Sequence, residues 1–174
     1  MAEPRWRASR VRWSGTVSSR DDARPLLADA GDAVLVKRGR PRSLVLKCPC
    51  GCGEELTINL DSRAGPAWRV YRGGQGTTLY PSVWRESGCR SHFIVWEDRI
   101  LLCDDDSAWP APVYGELEAK VISQIPEWGL RSFTEIADAL GVDPWSVFFV
   151  CRQLVLRNAL REGTGNRRGQ FGRQ

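Results

Sequence analysis

The sequence predicts an α+β protein, a small antiparallel β-rich zinc-knuckle module followed by a winged-helix-like helical domain. Three observations carry this. Short apolar runs divided by Gly, Pro, Ser and Asp fill residues 30–103, two cysteine-rich turns interrupt those runs, and beyond residue 115 the apolar period lengthens from two to about 3.6. At 174 residues the chain has room for one domain or two very small ones.

In chain order, residues 1–29 begin with Arg5, Arg7, Arg10, Arg12 and Arg20 against the single acid Glu3, which reads as a loose basic arm or an edge strand. AVLVK and SLVLK, separated by RGRPR, predict a hairpin whose second strand runs into CPCGCG. EELTINL, PAWRVYR, TTLYPSVW and HFIVWEDRILLC extend the pattern to about four to six strands and close a β-rich domain over 30–103. DDDSAWPAP cannot continue a central strand, so 104–115 reads as a linker.

Residues 116–174 read as helical. Leu117, Val121, Ile122 and Ile125 share one helical face, and Phe133, Ile136, Ala137 and Leu140 share another. Ser132 with Glu135 spells a capping box, Gly141 a stop, and Asp143–Pro144 the start of a third helix. A Gly-rich basic tail with Arg167, Arg168 and Arg173 follows, and the order resembles a winged helix-turn-helix domain. Such a domain suggests DNA, but Trp145, Ser146, Phe148 and Phe149 stand where a DNA reader carries base-edge donors and acceptors. An aromatic surface of that kind fits protein docking better.

Composition excludes several classes of function. Twenty-five basic against 21 acidic residues leave a net charge of +4, too little to name a nucleic-acid or membrane partner. One histidine, His92, rules out HExxH zincins, three-His zinc centres and two-His-one-carboxylate iron sites. No stretch approaches the roughly 20 apolar residues of a membrane span, and the N-terminus lacks a signal-peptide run, so a cytoplasmic protein without a membrane partner is expected. Thiols stay reduced there, and six Cys then read as metal ligands or buried thiols rather than three disulfides.

The strongest chemical signal is CPCGCG at 48–53 followed by GCRSHF at 88–93. Pro stiffens such a turn, Gly permits φ > 0, and backbone N–H groups can then face thiolate sulfurs. Cys48, Cys50, Cys52, Cys89 and His92 make five candidate ligands for a zinc coordination of four. The surplus leaves three arrangements open: a closed structural site, a reactive metal centre with a free position, and a dyad of Cys50 or Cys52 with His92. Glu54, Ser82 and Ser91 lie in segments entering or leaving the knuckles and are the candidate catalytic residues. Cys103 and Cys151, among apolar neighbours, read as unrelated buried thiols.

CPCGCGEELTINL, the Trp of PAWRV, TLYPSVW and GCRSHFIVWEDRI, in that order, resemble a family of small bacterial zinc-knuckle proteins of unknown function. That family is found beside bacterial ubiquitination-like (Bub) operons, which encode ubiquitin-like, activating and conjugating proteins. The resemblance covers roughly residues 30–103 and implies Cys48, Cys50, Cys89 and His92 as metal positions, with Cys52 as alternate. It implies partners in the ubiquitin-like protein and its activating and conjugating enzymes. The activity it implies is that of a zinc-dependent, deubiquitinase-like peptidase that processes or removes the modifier, with zinc polarising the scissile carbonyl or activating water. A non-enzymatic zinc adaptor with a ligase-like role in the same pathway and a zinc-containing DNA-binding regulator are the alternatives.

Overall fold

In two neighbouring strands, β2 (Asp32–Arg38) and β3 (Arg40–Lys47), alternate residues face opposite sides and both sides are apolar. Ala33, Leu44 and Leu46 therefore enter one buried cluster and Val34, Val36 and Val45 another. The structure, a computed structural model, describes residues 8–105, 109–110 and 115–174, and the chain divides into two units, 1–108 and 109–174. Arg5, Arg7 and most of the expected 104–115 linker lie outside the described residues.

The first unit holds two four-stranded sheets. One has the order β1 (Arg12–Val17), β2, β3, β4 (Glu55–Asn59); β1 runs parallel to β2, and the remaining pairs are antiparallel. Residues 12–17, in the segment read as a basic arm or an edge strand, are thus a strand of this sheet. The β1–β2 connection contains a short helix, α1 (Arg20–Ala23), whose N-terminus is capped by the Ser19 side chain accepting from the Asp22 N–H. Ala23 and Leu27 from this connection cover Val34, Val36 and Val45.

The second sheet has the order β5 (Arg69–Gly73), β6 (Gly76–Trp84), β7 (His92–Trp96), β8 (Arg99–Leu102), all antiparallel. Its Leu79, Val83, Phe93, Val95 and Ile100 pack with Leu44, Leu46 and Ile58 of the first sheet into one core. Each fully buried large apolar side chain contributes about 1.5–3 kcal/mol relative to exposure. Glu97 and Asp98, both at positive φ, make the tight β7–β8 turn. The Asp98 carboxylate accepts there from the Thr77 N–H and the Trp13 indole.

The second unit runs α2 (Gly115–Gln124), β9 (Arg131–Ser132), α3 (Phe133–Leu140), α4 (Pro144–Leu156), β10 (Leu160–Glu162), β11 (Gln170–Arg173), its strands forming one antiparallel sheet in the order β10, β11, β9. Ser132 and Glu135 form the expected capping box, Gly141 ends α3 at φ 66°, and Asp143 caps α4 ahead of Pro144. Val121, Ile125, Ile136, Ala137 and Leu154 are in its core, whereas Ile122, expected on the inner face of α2, is exposed.

The aromatic docking surface expected on α4 does not form. Trp145, Ser146 and Phe149 are buried, and Phe133, Trp145, Phe148, Phe149 and Phe171 join in a chain of ring contacts at 5.1–6.3 Å. The physical reason is that α4 is apolar nearly all round, which makes it the central helix of its unit. Among the described residues no helix is long and apolar enough to cross a membrane.

Candidate functional site: a serine–histidine pair beside a four-thiol cluster

The register between β6 and β7 creates the site. Leu79 pairs with Val95 and Val83 with Phe93, four steps on β6 against two on β7, so β6 carries two extra residues between these pairs. Ser82 lies in that bulge, and His92, the first residue of β7, stands opposite Trp84. The Ser82 Oγ and His92 Nε2 atoms are 3.0 Å apart, a hydrogen bond.

Neighbours fix both partners. The Trp68 indole donates to the Ser82 carbonyl oxygen at 3.2 Å, and the Cys103 N–H donates to the His92 carbonyl at 3.1 Å. The Trp84 ring lies 5.8 Å from the imidazole and is itself 63% exposed, so the pair opens toward solvent beside an indole face. Among the described residues the side-chain hydrogen bond of His92 is the one to Ser82.

Four sulfurs gather next to the start of β7. Those of Cys48, Cys50, Cys52 and Cys89 all lie within 4.8 Å of one another, with Cys48 3.3 Å from Cys50 and 3.7 Å from Cys89. A tetrahedral ion with metal–sulfur bonds of about 2.3 Å requires sulfur separations of about 3.8 Å, so the four thiols fit a metal ion. The first knuckle turns at Gly51 and Gly53, both at positive φ, with the Gly51 N–H donating to the Cys48 carbonyl and the Cys48 N–H to that of Glu54.

The Ser91 hydroxyl touches the sulfurs of Cys48 and Cys89, at 3.3 and 3.2 Å. Burial pushes the Cys89 thiol up, but the Ser91 hydroxyl and N–H and the neighbouring thiols outweigh it and hold the thiol down at about 6. Cys48 and Cys50 are shifted upward, chiefly by burial. The Arg85 guanidinium, 3.5 Å from the Glu54 carboxylate, buries one nitrogen without a hydrogen bond and faces the field of the Cys89, Cys52 and Cys48 sulfurs.

The candidate residues therefore divide. Ser82 and His92 form the polar pair, the four cysteines form the cluster with Ser91 against it, and Glu54 sits at its edge beside Arg85. Cys103 and Cys151 lie outside, with burial raising their thiols to about 11 and about 12. Sequence reasoning met Trp68 and Trp84 only inside the strings PAWRV and TLYPSVW, without a role for either, and did not single out Arg85. The string TLYPSVW and the Cys-x₂-His spacing contain the residues, but nothing in either spacing announces the bulge.

Fold and site together define an α+β protein in which a Ser–His pair and a four-cysteine cluster lie in the same unit. Residues 20–103, most of the first unit, match the family described as "Bacterial ubiquitination-like system serine protease (BubE)", which links the chain to the Bub systems. No curated protein and no solved structure matches the chain.

This match corrects the zinc-dependent peptidase expected from the sequence, because the family is described as a serine protease, a different catalytic class. Physical chemistry runs the same way: four thiolates around one ion fill a tetrahedral site and leave no position for a reactive water, while a hydroxyl already faces the imidazole.

Proposed function

We propose that the first unit is a serine peptidase of the Bub pathway with Ser82 as nucleophile and His92 as general base, acting on the bond at the C-terminus of the ubiquitin-like protein. The observation that carries this is the 3.0 Å Ser82 Oγ to His92 Nε2 contact. Ser82 Oγ attacks the scissile carbonyl carbon and its proton passes to His92 Nε2. The same nitrogen returns that proton to the leaving amine, and water then hydrolyses the acyl-enzyme by the reverse sequence. The Trp68 bond to the Ser82 carbonyl and the Trp84 ring against the imidazole support a fixed nucleophile and a fixed base.

In this reading Cys48, Cys50, Cys52 and Cys89 hold a structural zinc, favoured by an all-thiolate donor set. When bound it supplies no step of the reaction. Its support of the site runs through Ser91, which touches two of the sulfurs and precedes His92 in the chain. The partners would be the ubiquitin-like protein and its activating and conjugating enzymes. The order α2, β9, α3, α4, β10, β11 supports a winged-helix-like second unit. Six free thiols support a reducing, cytoplasmic setting.

A fluorophosphonate probe tests the assignment. It should attach to Ser82 in the wild-type protein and fail to attach in folded Ser82→Ala and His92→Ala variants. The Ser82→Ala variant should also leave the mass of a tail-extended ubiquitin-like protein unchanged where the wild type shortens it. Labelling or cleavage that persists in Ser82→Ala overturns the assignment.

A further inference from the structure

A groove of about 800 Å³ lies in the first unit alongside β5. Leu35, Trp68 and Val70 give it an apolar floor, and Lys37, Arg40 and Arg72 give it a cationic rim. The one acid in its lining, Asp61, is already held by Arg42 and Arg63. Among the described residues Lys37, Arg40 and Arg72 pair with no carboxylate, and the Arg72 guanidinium lies 5.8 Å over the Trp13 ring. The rim formed by Lys37, Arg40 and Arg72 is therefore positive.

Two observations tie this groove to the Ser82–His92 pair. Trp68 lines it, and the same indole donates to the Ser82 carbonyl. Arg69 pairs with Tyr80, and carrying that register two residues further sets Ala67, also in the lining, level with Ser82. From Ala67 to Arg72 a strand spans about 17 Å at roughly 3.3 Å per residue, room for five or six residues of extended peptide.

We propose that this groove binds an extended acidic segment of the polypeptide substrate on one side of the scissile bond. Apolar side chains of the segment rest on Trp68 and Val70, and its carboxylates face Lys37, Arg40 and Arg72. Alternation of apolar and acidic residues suits it, because successive side chains of an extended chain point to opposite sides, one set to the floor and one to the rim. The proposal rests on the peptidase reading for what the groove serves, but its test reads binding alone.

The test uses the Ser82→Ala protein and a dye-labelled octapeptide of alternating Glu and Val, followed by fluorescence anisotropy at low and high salt. Saturable binding that weakens with salt is expected, at least about tenfold weaker for the Gln–Val counterpart and for an Arg40→Glu/Arg72→Glu variant. If charge reversal unfolds the unit, Lys37→Gln/Arg40→Gln serves in its place, and the Glu–Val against Gln–Val comparison needs no variant. Equal affinity for the two peptides, no effect of the charge changes, or tighter binding of an oligothymidylate overturns the proposal. Fluorophosphonate labelling retained by Ser82→Ala overturns the nucleophile assignment instead, so the two failures are distinguishable.

Discussion

If the four-cysteine cluster holds the proposed metal ion, removing that ion should cost the first unit much of its stability, and the structure gives the size. An ion bridging Cys48 and Cys89 ties together residues 41 apart in the chain, as their sulfurs 3.7 Å apart allow. Treated as a cross-link that closes a loop of that length, it removes about 4 kcal/mol of chain entropy from the unfolded state. For a unit of about 100 residues that corresponds to a fall in melting temperature of roughly 15–30 °C. Calorimetry with and without chelator, alongside elemental analysis for zinc, measures it. Buried Cys48 should be the most damaging thiol of the four to replace. Protein shown to have lost its metal yet melting within about 3 °C of the untreated sample would refute the reasoning.

Ser82→Ala and His92→Ala should each lower kcat by about 10³–10⁶, and the double variant no further than either single one, because both remove the same contact; single-turnover rates that multiply would sink the dyad. Arg63 and Arg42 hold the Asp61 carboxylate below its ordinary value of 3.8. A depressed pKa means its stabilisation is present above pH 4 and is lost as the pH falls through the folded value. The melting-temperature gap between wild type and Asp61→Asn should therefore narrow on acidification below that point, in a series of thermal scans. Asp143→Ala leaves the N-terminus of α4 uncapped, since both the N–H and hydroxyl of Ser146 donate to that carboxylate. Urea denaturation should show the second unit weakened by about 1–2 kcal/mol.

Much of the local structure was legible because it obeys short-range rules. The β-branched runs before CPCGCG became β2 and β3, and the Ser132–Glu135 box, Gly141 and Asp143–Pro144 delimit α3 and α4 as their chemistry requires. The face of α2 was harder. Val121 and Ile125 are buried while Ile122, one step from Val121, is exposed, because a ten-residue helix against a small core buries only a narrow stripe. The aromatic run of α4 is core where its sequence suggests surface, since composition says that a helix is apolar without saying how many neighbours surround it.

At the site, the sequence by itself determined which side chains could do chemistry: six thiols, one imidazole, and Glu54, Ser82 and Ser91 near the knuckles. It also determined that two Gly-bearing cysteine turns would interrupt the β-rich domain, because Gly and Pro set those turns locally. Only the tertiary structure decided who meets whom. His92, three residues after Cys89, has the spacing of a ligand, yet two extra residues in β6 bring Ser82 to its Nε2. Ser91, with a hydroxyl just as able to be activated, turns to the sulfurs of Cys48 and Cys89. Strand register and a bulge are long-range properties, settled by how the two sheets share one core, and they are what separate the serine that meets the imidazole from the serine that meets the sulfurs.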